Sequence, residues 1–328
     1  MMSAETFLIT GSMGCIGAWV LRHLVAEGVR VIATDLTTDP VRPGLIMTAE
    51  QLARISFVQL DITDLKALQT LIEQEQVTHI IHLAGLQVPF CRANPALGAR
   101  VNVVGTVNIF EAVRHAQGQV RGLSYASSVA VLGPDHLYPE RPVADNVPLY
   151  PNSLYGVYKQ ANEETARIYW QDWQVGSVGL RPYVVYGVGR DQGLTSGIAK
   201  AILAAAADRP YEIKFDGSVA LQYADDVARM FIGAARAEHA GAAVCNVRNE
   251  VTTVSEFLSV LQTEAPGHQI TSTPDNSLPF PADLDDSGLR LILGDIPHTP
   301  LPAAVRATLE IFKFLLAENR LDLSQLDS

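Results

Sequence analysis

Tyr155 and Lys159 stand four residues apart in Tyr155-Gly156-Val157-Tyr158-Lys159, so on a helix they share one face. A free phenol titrates near ~10, too high for a base at neutral pH. An ammonium one helical turn away favours the phenolate, so that the oxygen takes a proton from a substrate hydroxyl. Chance alone often produces a tyrosine and a lysine at this spacing. Here Ser127-Ser128 come first, with Ser128 lying 27 residues before Tyr155 at the end of an expected strand. A serine hydroxyl there would hold the reacting oxygen in line. Tyr158 reads as a packing residue.

A second group of residues is suited to a phosphate. Gly11, Gly14 and Gly17 follow an apolar run and open a helical pattern. Glycines at this spacing permit a tight turn and bring backbone close to a pyrophosphate. The N–H groups of Cys15, Ile16 and Gly17 then face that anion with the helix's positive end. Asp35 ends the next strand, 18 residues after Gly17. Its carboxylate accepts from both ribose hydroxyls of an adenosine and repels a 2′-phosphate; the nearest following arginine is Arg42. NAD is therefore the expected cofactor, in preference to its phosphorylated form.

Asp61-Ile62 ends the third strand and either reaches the adenine edge or caps the helix near Leu65. His82-Leu83-Ala84-Gly85 ends the fourth, where small residues let backbone pass close to a cofactor. His82 itself reads as a packed, hydrogen-bonded core histidine.

These groups need a parallel sheet to carry them. Strands are expected at Phe7–Thr10, Val29–Thr34, Phe57–Leu60, Val77–Leu83 and Gly122–Ser127, alternating with helical stretches that include a long one at Pro95–Ala116. Near-continuous apolar runs such as Ile80-Ile81-His82-Leu83 suit strands buried on both faces. The expected class is α/β, a doubly wound parallel Rossmann sheet. Residues 1–187 form the cofactor-binding core, with its last strands supplied from about 219–247. Residues 188–328 form a smaller α/β substrate-binding lobe interleaved with it. Helices are expected at Ile198–Ala207, Asp225–Ala237, Ser255–Thr263 and Leu301–Ala317, and Pro266–Pro281 reads as loop.

Composition excludes several partners. The chain has 328 residues, 48% of them hydrophobic and 18% charged, as in globular proteins. With 35 acidic and 24 basic residues, its net charge of −11 repels phosphate backbones and anionic lipid, so neither nucleic acid nor membrane is an expected partner. Three scattered cysteines build neither a disulfide framework nor a metal site. No apolar run approaches the ~20 residues of a spanning helix, and no basic segment leads into an apolar one at the N-terminus. A cytoplasmic protein without a metal is expected.

Taken together, these motifs resemble the extended short-chain dehydrogenases/reductases, the family of NAD-dependent epimerases and dehydratases, from Phe7 to about Ala237. The likeness rests on Gly11/Gly14/Gly17, Asp35, Asp61, the HLAG at His82, Asn102, Ser127-Ser128, Tyr155/Lys159 and the run from Arg181 to Gly187. It implies that Ser128 is the catalytic serine, Tyr155 the acid/base and Lys159 the nicotinamide-ribose anchor. It also implies a cofactor-side position for Asn102, and for Tyr183 a place in the segment passing the nicotinamide. A homodimer paired through the helices carrying Asn102 and Tyr155 is implied as well.

The chain departs from that family where nucleotide-sugar members carry an Asn between the RP and YG pairs and an Arg before the late acidic pair. Here stand Val184 and Ala220-Leu221-Gln222. Two groups that would bind a diphosphate are missing, and a buried dianion without a positive partner costs several kcal/mol. The substrate is therefore expected to be a small polar molecule (a sugar, sugar acid, polyol or hydroxy amino acid) oxidised at a secondary hydroxyl. Gln87, Pro89, Phe90, Leu132, Ser127 and Ser128 should border it, and Arg190 is the expected partner of a substrate carboxylate. Asp225-Asp226 reads as the cap of the following helix. The alternative function is a sugar epimerase, nucleotide-sugar included, that keeps its NAD tightly bound. A non-enzymatic NAD binder would have no use for the Ser–Tyr–Lys set.

Overall fold

The computed structural model describes residues 5–116 and 118–327. Its strands are β1 (Thr6–Thr10), β2 (Arg30–Asp35), β3 (Ser56–Gln59), β4 (His79–His82), β5 (Gly122–Ala126), β6 (Ser177–Arg181), β7 (Val184–Tyr186), β8 (Tyr211–Ile213), β9 (Ser218–Tyr223), β10 (Ala242–Asn246), β11 (Glu250–Thr253) and β12 (Ile270–Ser272). Seven of them form one parallel sheet in the order β10-β6-β5-β4-β1-β2-β3. The order reverses between β1 and β4, and ligands of such sheets bind outside the carboxyl ends of the strands at that point.

Alternation explains why these runs become strands covered on both sides. Phe7 and Ile9 of β1, Val31 and Ala33 of β2 and Ile81 of β4 join one buried cluster. Leu8, Ile32 and Ile80, one residue out of step, join the cluster on the opposite face. Each of these side chains larger than alanine contributes ~1.5–3 kcal/mol by leaving water. The first cluster continues without a break into residues of the C-terminal third such as Val305 and Phe312. The sheet and the later segments therefore share one core.

The structure differs from expectation in three places. β10 does join the main sheet, but β9 does not: it pairs with β7 and β11 in a separate three-stranded sheet. The stretch Pro266–Pro281 is not all loop, because β12 pairs in parallel with β8. The helical stretch expected at Pro95–Ala116 is present but winds through a π turn at Arg100–Val104. Such single wide turns are frequent at functional sites.

Candidate active site

Gly11 sits at φ +69° directly after β1, and a Cβ there would lie 2.5 Å from the backbone nitrogen of Ala84. Only glycine permits that conformation together with that approach. The turn after β1 is thus pressed against Leu83-Ala84-Gly85 after β4, across the reversal in strand order. Gly14 begins the helix Cys15–Ala26, whose first turn holds no acidic residue and no side-chain cap. The N–H groups of Cys15, Ile16 and Gly17 are left without an intrahelical partner at the positive end of the helix. A Cβ on Gly17 would meet the Gly11 carbonyl oxygen at 2.5 Å, so the third glycine keeps turn and helix in contact.

Asp35, at the end of β2, accepts from the Met13 N–H at 3.0 Å and from the Leu36 N–H at 2.8 Å. Its carboxylate is held against the glycine turn. Arg42 is bound on three sides. Its guanidinium grips Asp191, with Nη2 to Oδ1 at 2.8 Å and Nε to Oδ2 at 2.9 Å, and Nη1 donates to the Met13 carbonyl at 3.0 Å. The residues present therefore fit a dinucleotide: an uncapped helix start, a turn that a Cβ would fill, and a carboxylate beside it.

Asp61 does not cap the next helix. Asp64 does, accepting from Ala67 N–H at 3.0 Å, while exposed Asp61 closes a turn onto Thr63 N–H. Ile62 is buried and packs where a Gly105 Cβ would stand. His82 is the core histidine expected from the sequence. Its Nδ1 meets Thr10 Oγ1 at 2.7 Å and its Nε2 meets Thr106 Oγ1 at 3.1 Å. Burial, with the Lys159 charge, pushes its pKa down to about 3.

Asn102 lies within the π turn and clamps the loop after β4. It accepts from Leu86 N–H at 2.8 Å and donates to the Leu86 carbonyl at 3.0 Å and to Cys91 Sγ at 3.1 Å. A Cβ on Gly85 would lie 2.8 Å from Asn102 Oδ1 and 3.5 Å from Lys159 Nζ. The loop after β4 and the helix Leu154–Trp173 thus meet at Gly85.

Ser153 caps that helix, accepting from Gly156 N–H at 3.1 Å. Along it, Tyr155, Lys159 and Glu163 fall at i, i+4 and i+8 on one face. The Ser128 hydroxyl accepts from the Ala130 N–H at 3.2 Å and acts on the Tyr155 phenol, and Lys159 Nζ lies 5.7 Å from that ring's centroid. Lys159 is buried and donates to the Ala126 carbonyl at 2.7 Å, and burial pushes its pKa down to about 8. Burial raises the phenol of Tyr155 above its ordinary value; the Ser128 hydrogen bond and the Arg190 charge oppose that rise. Two cations thus stand near the phenol: Lys159, expected from the sequence, over its ring, and Arg190, whose charge acts to lower its pKa.

Ser127 does not border a substrate. It is 2% exposed, and its hydroxyl donates to Glu163, which also forms a buried two-point ion pair with Arg181 at 2.8 Å. Sequence reasoning missed Glu163, although its place one turn beyond Lys159 on the same face was the available signal. Through it the helix is fixed to the ends of both β5 and β6.

The phenol of Tyr183 donates to the Phe280 carbonyl at 3.1 Å and its backbone N–H to Gln222 Oε1 at 2.8 Å, so neither donor is free for a cofactor. Tyr158 donates to the Pro95 carbonyl. Leu132 is fully buried in the core and does not wall a pocket. Asp225 pairs with His23 and Arg229, and Asp226 accepts from Thr299, so neither caps the helix Ala224–Arg236, which has no side-chain cap. Both stand in its first turn, where a negative charge suits the helix dipole.

Sheet order, glycine turn and Ser–Tyr–Lys placement together define a short-chain dehydrogenase/reductase architecture. The sequence profile of the NAD dependent epimerase/dehydratase family matches residues 7–247, and the chain belongs to that family; its cofactor is NAD. The chain is 32% identical over 236 residues to UDP-glucuronate 4-epimerase 3 of Arabidopsis thaliana, a match covering 69% of this chain and 54% of that one. It thus spans about half the length of that relative. It is 30% identical over 317 residues to UDP-glucose 4-epimerase of Mycolicibacterium smegmatis, covering 93% and 98%. Among solved structures, a partial consensus L-threonine 3-dehydrogenase superposes with a TM-score of 0.82 at 23% identity, covering 94% of this chain and all of that one. The UDP-glucose 4-epimerase of Thermotoga maritima gives 0.81 at 22%, covering 95% and 100%. At these identities the solved structures speak for the fold alone.

Proposed function

We propose that the protein is an NAD-dependent dehydrogenase acting on a secondary hydroxyl of a small polar substrate. The observation that carries this reading is that Lys159, on the helix face that also carries Tyr155, reaches the Ala126 carbonyl at the end of β5 and Gly85 after β4, where the glycine turn that opens the uncapped first helix packs against Ala84. Ser128 holds the substrate oxygen in line. Tyr155 takes the hydroxyl proton as the carbinol becomes a carbonyl, and returns it in the reverse direction. Bound NAD supplies the two-electron acceptor for the carbinol carbon. Lys159 fixes the nicotinamide ribose, Asn102 holds the loop after β4 in place, and Asp35 meets the adenosine ribose.

The epimerase reading is favoured by the relatives named as 4-epimerases of UDP-sugars. Against it, Val184, Ala220 and Leu221 are buried apolar residues in the small sheet. The Gln222 amide is used up internally, accepting from Tyr183 N–H at 2.8 Å and donating to the Val247 carbonyl. No cation stands at those positions to meet a diphosphate.

No described helix is long and apolar enough to cross a membrane. A cytoplasmic homodimer is part of this proposal. It is supported by exposed Leu97 and Val104 on one helical stretch and Leu154, Val157 and Trp173 on the other, at 43–47% exposure. So is the division into a core of residues 1–187 with a later lobe.

The test is to mix the purified protein with NAD and unmodified sugars, sugar acids, polyols and hydroxy amino acids while NADH absorbance is followed. Net NADH formation supports the dehydrogenase. Epimer formed from a UDP-sugar without free NADH, with cofactor retained through gel filtration, replaces it by the epimerase.

A further inference from the structure

Between β7 and the helix Gly197–Ala206 the chain runs Gly187-Val188-Gly189-Arg190-Asp191-Gln192-Gly193. Three of these residues are glycines at positive φ: +131°, +89° and +95°. Trp19 pins the loop to the first helix by donating to the Val188 carbonyl at 3.0 Å. Arg42 consumes the Asp191 carboxylate. Arg190 is left with no carboxylate partner among the described residues. Its Nη2 donates to Thr195 Oγ1 at 3.1 Å, and its Nε is buried without any partner.

Gln87 comes to the same point from the loop after β4. A Cβ on Gly193 would stand 2.1 Å from Gln87 Oε1 and 3.3 Å from Arg190 Nη2. That Oε1 is also buried and unpartnered. A guanidinium N–H removed from water without an acceptor is costly, as is an orphaned amide oxygen. Gln87 and Arg190 meet at Gly193, and the Arg190 charge acts on the Tyr155 phenol. An unpaired donor cation and an unpaired amide call for a ligand with an anionic acceptor and an adjacent donor.

We infer that the substrate is a small carboxylic acid whose carboxylate is bound by Arg190 and whose neighbouring hydroxyl or amino group meets Gln87, with the carbinol to be oxidised at Tyr155. This rests on the dehydrogenase reading and names its substrate class. The same anion chemistry could come from the pyrophosphate of the cofactor. The free N–H groups of Cys15, Ile16 and Gly17 already serve that group.

The experiment uses matched compounds, each acid against a partner lacking the carboxylate: D-galacturonate with D-galactose, L-threonine with L-threoninamide, D-gluconate with D-sorbitol. Wild-type protein should form NADH with at least one acid, at kcat/KM about 100-fold above its partner. Arg190→Gln should cut kcat/KM for that acid by about 10- to 100-fold, mostly through KM, and narrow the preference. Arg190→Lys should recover part of it. A neutral partner used as well as its acid overturns the inference.

Two binding measurements separate it from its rivals. Malonate, titrated into the protein–NADH complex, should change bound-NADH fluorescence in the wild type and not in Arg190→Gln; no effect in the wild type, or the same effect in both, overturns it. NADH itself should bind the variant within about threefold of wild type. A loss above tenfold assigns Arg190 to the pyrophosphate and overturns it too. If neither acids nor neutral compounds reduce NAD, the dehydrogenase reading falls, and the malonate titration still decides what Arg190 binds.

Discussion

The carboxyl edge of the seven-stranded sheet and the Gly187–Gly193 loop packed on it differ in how their polar groups are satisfied. At the edge the fold itself supplies partners. Asp35 has two backbone N–H groups, His82 has a threonine on each ring nitrogen, Asn102 has both polar groups of Leu86, and Lys159 has the Ala126 carbonyl. In the loop and the segment facing it, Arg190 Nε and Gln87 Oε1 have none. A region with its groups already paired is rigid before anything binds, which suits a surface that must orient a cofactor. A region with an unpaired cation and amide is completed only by its ligand, and so selects that ligand by the missing groups.

The largest effect should come from the edge. Tyr155→Phe removes the proton acceptor and should cut turnover by about 10²–10⁴ while NADH affinity, read by fluorescence titration, stays nearly constant. Tyr158 and Tyr183 will not replace it, since both phenols already donate to backbone carbonyls. Near-normal turnover in Tyr155→Phe would remove the edge's claim to the chemistry.

Next in size is the ion pair behind that edge. Glu163→Ala leaves the buried Arg181 guanidinium with the Asp145 carbonyl and the Asn246 amide oxygen but no carboxylate, and frees the Ser127 hydroxyl. Guanidinium-chloride unfolding should show a loss of about 3–5 kcal/mol, the range for breaking a buried pair. A loss below about 1 kcal/mol would mean that the Asp145 carbonyl and the Asn246 amide suffice for Arg181, and the edge would be less rigid than its pairing implies.

Lys159 gives a pH signature. Its folded pKa is about 8, against ~10.4 in an unfolded chain. Below pH 8 both states carry the charge and the folded state bears the whole burial cost. Between about 8 and 10.4 only the unfolded state binds the proton, so stability rises with pH. The cofactor-free wild type should therefore gain on the order of 2–3 kcal/mol over Lys159→Met across that window. Parallel curves for the two proteins would show that the ammonium is better solvated than its burial indicates.

Much of the edge could be read from the chain because its features are local. A glycine turn between a strand and a helix, an acid ending the next strand and two side chains four apart on a helix need no tertiary knowledge. What escaped depends on partners distant in sequence. Ser127 and Ser128 are chemically alike, and only Glu163, 36 residues from Ser127, commits Ser127 to the interior. Asp61 and Asp64 are both placed to cap, and backbone geometry chose Asp64. The strand character of Ser218–Tyr223 was readable, but its pairing with β7 and β11 was not. Arg190 stood out as a cation, yet its isolation depends on Arg42 holding Asp191 across 149 residues.

The smallest effect concerns the cofactor, and it links the two regions. Asp35 belongs to the edge, and Arg42 reaches from beside it to Asp191 in the loop. Asp35→Ala removes one charged acceptor and should weaken NAD by about tenfold while narrowing its advantage over NADP. NADP should gain little, because Arg42 is still bound to Asp191. Adding Asp191→Asn to Asp35→Ala weakens that hold, so NADP affinity should rise by a further few-fold while NAD affinity does not. If the single variant already prefers NADP, Arg42 is mobile enough to leave Asp191 unaided. The loop's cation would then be less isolated than its pairing requires, since a released Asp191 could turn to Arg190.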